Sequence, residues 1–171
     1  ALADERARKR DALLLPTGEL HAALTDHGVE TFGKRERFIE NVRSLSIDPI
    51  VVRQNWLRAY DFATDRAAVT LNEYARENDP FAKIGQRSVS VEITSVVRAS
   101  PTSFQLRWRE KAFENGSPAG TQSFTGVLTI VSKPPRDAAT LRANPLGIYV
   151  NAINWSRELE SAPAPKSPIT R

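Results

Sequence analysis

Few side chains in this chain could move a proton. Its two histidines, His21 and His27, both lie in the first 35 residues, and there is no cysteine anywhere. Disulfides, thiolate zinc sites and cysteine nucleophiles are thereby excluded. The acids left as candidate bases are Asp61, Glu92, Glu110 and Glu158. One carboxylate in a cavity between helices and sheet would suffice for isomerase or dehydratase chemistry. Each of the four, however, falls on an expected polar face or at an element end, where a solvated or ion-paired carboxylate is the plainer reading. A Ser-His-Asp arrangement would have to recruit a histidine from the N-terminal arm, and no Gly-x-Ser-x-Gly elbow presents a serine. Neither a Walker loop nor a Gly-x-Gly-x-x-Gly fingerprint is present, and metal-ligand spacing is missing. The expectation is no catalytic residue, no cofactor and no metal.

Charge offers little more. The 24 Lys and Arg against 20 Asp and Glu leave a net charge of +4. The densest basic run, "RARKR" at Arg6 to Arg10, is flanked by Asp4, Glu5 and Asp11, so it does not form the one-sided stripe that phosphate tracking needs. Direct nucleic-acid contact is the lesser alternative. No apolar run approaches the roughly 18 residues of a membrane span, and nothing after "ALADERARKRD" resembles the core of a signal peptide.

The elements that must carry any site lie in the middle of the 171 residues. Residues 1–35 read as a weakly structured arm, 36–160 as one folded domain, and 161–171, "SAPAPKSPITR", as a Pro-rich tail too poor in apolar residues to order itself. Phe38, Ile39, Val42 and Leu45 repeat as one helical stripe, expected to be core, with Arg37, Glu40 and Arg43 on the polar side. Asp48-Pro49 is an N-cap followed by proline in the first turn, and opens a second helix. Its Val52, Trp56 and Tyr60, widened by Val51, Leu57 and Phe62, suggest burial on more than one side. Thr64 or Asp65 caps a third helix, with Ala68, Leu71, Tyr74 and Ala75 on one face and Asn78-Asp79-Pro80 at its end.

After Gly85 the period changes to two. Val89, Val91 and Ile93 alternate with polar residues, then Phe104, Leu106 and Trp108 do so against Gln105, Arg107 and Arg109. Glu114-Asn115-Gly116 is a hairpin signal. The next strand carries Phe124, Gly126, Leu128 and Ile130 on one face and Val127 and Val131 on the other, as in a central or covered strand. Lys133-Pro134-Pro135 stops it, "RDAATLRA" suggests a helical turn, and Ile148 onward is a last strand bulged near Asn151. Three helices followed by four antiparallel strands predict an α+β roll, with helices packed on one face of a curved sheet.

Between the helical turn and the last strand stands "NPLGIYVNAINW". Proline fixes φ and glycine permits a sharp reversal, which alone accounts for the turn. Trp56 and Trp108 are expected in the core, whereas Trp155 could be core, edge or part of a protein contact.

Three stretches, "RFIENVRSLSIDPIVVRQNWLRAYDF", "LNEYARENDPFAKIG" and "NPLGIYVNAINWSREL", resemble the TrbF family of conjugal transfer proteins, the inner-membrane scaffold components of type IV secretion systems. The similarity runs from about Arg37 to Leu159, and Asn144, Pro145 and Gly147 are its most specific element. The resemblance implies a nuclear-transport-factor-2-like (NTF2-like) periplasmic domain, anchored through a membrane helix that residues 1–35 do not supply. It also implies a non-catalytic role: weak self-association and contacts with other channel subunits. With no catalytic residues to support, the turn reads as a rigid, exposed docking feature. Asn144, Pro145, Gly147 and Trp155 are the expected partner-binding residues. The alternatives are an enzyme of the same fold using a carboxylate base, and a nucleic-acid-contacting transfer subunit.

Overall fold

A computed structural model describes residues 33–159. The expectations for His21 and His27, for most of the N-terminal arm and for the tail lie outside those residues. Two compact units divide between Arg37 and Phe38, and the sheet and core belong to the second.

Helix α1 (residues 33–43) turns Phe38, Ile39 and Val42 fully inward, as their spacing requires. Leu45 departs from the expected stripe. The helix stops at Arg43, and Leu45 pairs with Val89 through two backbone hydrogen bonds of 3.0 and 2.9 Å. Three residues on, Asp48 adopts a β conformation ahead of Pro49. The Asp48 carboxylate then accepts from the Ile50 N–H at 2.8 Å and opens helix α2 (Pro49–Asp61). This helix buries one face only, through Val52, Trp56 and Ala59. Val51 and Leu57, expected to widen the buried stripe, are 38% and 53% exposed. They project away from the line that Val52, Trp56 and Ala59 make along the axis. Helix α3 (Asp65–Glu77) begins at Thr64, whose hydroxyl accepts from the Ala67 N–H, and buries Ala67 and Leu71.

Four strands follow: β1 (Arg87–Arg98), β2 (Ser103–Glu114), β3 (Ser117–Ser132) and β4 (Ile148–Arg157), antiparallel and in spatial order β1-β2-β3-β4. Asn115 and Gly116, both at positive φ, make the tight β2–β3 turn. β3 is internal to the sheet, as its two-sided apolar pattern predicted. Gly126 gives it a flat spot: a Cβ there would lie 2.9 Å from the Trp108 ring, so glycine lets the indole rest on the strand. The short helix α4 (Ala138–Ala143) starts on Asp137 and delivers the chain to β4. Thr129 faces Ala152 and Ile130 faces Val150, which leaves Asn151 as the expected bulge. The Thr64 hydroxyl donates to Asn151 Oδ1 at 3.0 Å, tying the start of α3 to that bulge.

One core lies between the helices and the sheet. Phe104, Leu106 and Trp108 of β2 and Phe124 and Leu128 of β3 meet the buried faces of the three long helices. The observed architecture is the α+β roll expected from the order of the elements.

Candidate functional site

Two of the three turn residues expected to dock a partner, Asn144 and Gly147, are buried. Asn144 is 2% exposed and is saturated locally: its Nδ2 donates to the Ile148 carbonyl at 2.8 Å, and its Oδ1 accepts from the Ile148 N–H at 3.4 Å. Gly147 is buried, with φ at +58°, and its carbonyl accepts from the Lys133 N–H at 2.6 Å. A Cβ at Gly147 would collide with the Lys133 carbonyl oxygen and stand 2.8 Å from its carbon. These two residues close the loop upon the end of β3, and only Pro145 of the three is exposed. The sequence suggests a turn that is rigid and exposed throughout, whereas exposure is confined to Pro145 and, in part, Leu146. Rigidity here comes from burying the polar side chain that makes it.

Trp155 lies elsewhere, in a cluster that the sequence reading did not assemble. Its ring meets Tyr74 of α3 edge-on, with centroids 5.1 Å apart, and Tyr74 stacks on Trp56 of α2 at 6.3 Å. Into this cage, from the last turn of α1, comes Arg43. Its guanidinium carbon lies 4.5 Å from the Phe124 ring centroid, 5.2 Å from Tyr74 and 5.3 Å from Trp155, within cation–π range of all three.

Glu110 closes the cage from β2. Arg43 Nε donates to Glu110 Oε1 at 2.6 Å and Nη2 to Oε2 at 3.1 Å, a bidentate pair. Nη1 donates to the Tyr74 hydroxyl at 3.0 Å, and Trp108 Nε1 donates to Glu110 Oε1 at 2.8 Å. The two charged side chains retain 8% and 13% of their exposure. Burial pushes the Tyr74 phenol above its usual pKa; Arg43 opposes that shift and Glu110 adds to it.

The sequence puts Arg43 on the polar side of α1 and Glu110 on a polar face. In the structure both are inside, and the periodicities carry the signal. Arg43 is four residues from Ile39, on the same helical face. Glu110 continues the inward phase of Leu106 and Trp108. Hydrophobicity alone misassigns them, because an ion pair satisfied from all sides can occupy core positions.

A groove of about 780 Å³ opens beside this cage, lined in part by Arg43, Tyr74, Glu110, Phe124, Trp155 and Arg157. The four candidate acids do not converge on it. Glu110 has both oxygens committed. Asp61 is exposed at the end of α2, Glu92 is 3.6 Å from Lys111, and Glu158 accepts from the Thr125 hydroxyl and lies 3.6 Å from Arg107. Among the described residues, no three His, Asp or Glu side chains gather as metal ligands, and no helix is long and apolar enough to cross a membrane. Chemically, the arrangement is a charge-stabilised clamp of α1 and α3 onto the sheet.

Comparison with known proteins extends the geometry. Residues 35–158 match the VirB8 protein family. Over 125 residues, 71% of this chain, the sequence is 32% identical to the conjugal transfer protein TrbF of Rhizobium radiobacter, and it spans 57% of that relative's length. The VirB8 protein of Agrobacterium tumefaciens has the same fold, with a TM-score of 0.67 over 77% of this chain and 93% of that one, at 14% identity. The TrwG component of a type IV secretion system from Bartonella birtlesii matches 78% of this chain and 94% of its own, with a TM-score of 0.64 and 15% identity. At such identities the structures establish the fold, an NTF2-like roll. A family match across most of the chain, joined to a relative 32% identical, establishes membership: this chain belongs to the VirB8 family of type IV secretion components.

Proposed function

We propose that the chain is the periplasmic, non-catalytic scaffold unit of a conjugative secretion channel, acting through self-association and contacts with other channel subunits. The observation that carries the reading is the family match over residues 35–158, which includes all four strands and the Arg43–Glu110 cage. The chemistry of the cage supports it. Glu110, the one candidate acid lining the groove, accepts from Arg43 and from Trp108, and a carboxylate so occupied is a poor base. Anchoring through a membrane helix, as the TrbF resemblance implies, is part of this reading.

Partner contact at the turn is carried by Pro145, with Asn144 and Gly147 holding the loop in shape. Trp155, which lines the groove, is a second contact. Complementation tests the reading. A donor strain lacking the gene, supplied with the full-length protein, recovers DNA transfer. Pro145→Asp lowers transfer without lowering the thermal stability of the isolated domain. Wild-type transfer by donors with no copy of the protein would contradict the scaffold role.

A further inference from the structure

The outer edge of β1 is an unfinished sheet with an unusual spacing. Val89 exchanges both of its backbone bonds with Leu45, so on this strand the inward-facing residues Val89, Val91 and Ile93 direct N–H and C=O away from β2. A bulge follows: Ile93 faces Trp108 and Ser95 faces Arg107, with Thr94 left over. Beyond it the Ala99 N–H donates to the Ser103 carbonyl, toward β2, so the outward-directed residues become Val96 and Arg98. Among the described residues, no backbone partner meets Val91, Ile93, Val96 or Arg98 on this side.

The free groups therefore fall at intervals of two, three and two residues. A regular strand offers groups every second residue and slips out of step at the three-residue interval, which is how bulges protect sheet edges. The interval pattern is the same read in either direction. An antiparallel strand carrying the same bulge matches it throughout, and a second copy of this chain has that strand.

We infer that this protein self-associates through β1, edge to edge about a twofold axis, forming one continuous sheet; this rests on the self-association in the function proposed above. The register pairs Val91 with Arg98 of the second copy and Ile93 with Val96, and sets the two bulges against each other. Every pair joins residues on the same face of the sheet, as antiparallel pairing demands, with Arg98 on that face beside Phe104. Ile93 and Val96 both pack on the edge of the core, so the seam extends an apolar row. On the outer face Val97, 54% exposed, comes to lie against Glu92 of the second copy.

The chain lacks cysteine, so the register can be read covalently. Glu92 and Val97 occupy a non-hydrogen-bonded position across the seam, where Cα atoms approach to about 4.5 Å, within disulfide reach. Two samples of the 171-residue chain, one bearing Glu92→Cys and one Val97→Cys, are each oxidised alone and, after mixing in the reduced form, together, with circular dichroism confirming that both fold. The mixture is expected to yield a covalent dimer, and each sample alone to yield little. Val96→Pro, which removes one outward N–H, is expected to weaken the dimer measured by sedimentation about tenfold or more. A dimer that forms without cross-linking in the mixture overturns the β1 seam and leaves self-association standing. A monomer at every concentration overturns both. In donor cells holding the whole transfer system, cross-linking of the Val97→Cys variant to a different channel subunit overturns the seam in favour of a strand supplied by that subunit.

Discussion

Single residues in this domain divide into those that hold shape and those free to meet something else. Gly147 belongs to the first group, because its left-handed φ and the Lys133 carbonyl packed against its α-carbon leave no room for a side chain. Gly147→Ala is expected to cost about 2 kcal/mol or more in urea unfolding. Asn144→Ala should cost about 1–3 kcal/mol, since it strands both backbone groups of Ile148. Pro145→Ala should leave the midpoint nearly unchanged. Equal midpoints for all three would show that the turn is not held as described. Glu110→Gln leaves the Arg43 charge buried and half-partnered, and a loss of about 3 kcal/mol is expected. Replacing both partners with apolar residues should cost less than the single change. Tyr74 adds a pH signature. Its folded pKa is raised, so above the ordinary tyrosine value of about 10 the folded state binds the proton that the unfolded state has released. The stability this contributes is present below that pH and is lost as pH rises through the folded value. Tyr74→Phe should therefore flatten part of the alkaline decline seen in thermal melts from about pH 9 to 11. An unchanged slope would place the titration elsewhere.

Helices and strands meet at joints that each rest on a few polar atoms. Thr64 caps α3 and also donates to Asn151 in the β4 bulge. Thr64→Val keeps the shape of the side chain and removes both bonds. It should cost about 1–2 kcal/mol and speed hydrogen exchange at the Ala67 amide and along β4. Exchange limited to α3 would mean that the cap and the bulge are independent. Such joints also explain what could be read from the sequence. The alternations through Trp108 and Leu128, the Asn115-Gly116 hairpin, the Asp48-Pro49 helix start and the bulge at Asn151 are local grammar, written within a few residues. The cage is harder to see because its members come from α1, α2, α3, β2, β3 and β4, and two of them are charged. Only the fold shows that Arg43 and Glu110, 67 positions apart, neutralise each other. The one-sided burial of α2 is likewise hidden: Val51 and Leu57 are apolar, and exposure depends on whether a neighbour reaches them. In the turn, residue types convey rigidity correctly and say nothing of which side faces water.

As a whole, the domain is proposed above to work through its surfaces. Its most polar interior cluster is satisfied within itself, its candidate acids are dispersed, and its family is that of secretion components. The outward cations of β2 give the nucleic-acid alternative its one concrete test. Arg107 and Lys111 lie 3.6 Å from Glu158 and Glu92, so reversing Arg107 and Arg109 to glutamate should leave DNA affinity of the domain at background. The most direct measurement is chemical cross-linking in conjugating cells that hold the entire transfer system, followed by purification of the full-length protein and identification of what is attached to residues 33–159. The scaffold account predicts cross-links from this domain to other copies of itself and to other channel subunits. Recovery of the protein free of every channel subunit, in cells that are actively transferring DNA, would contradict it.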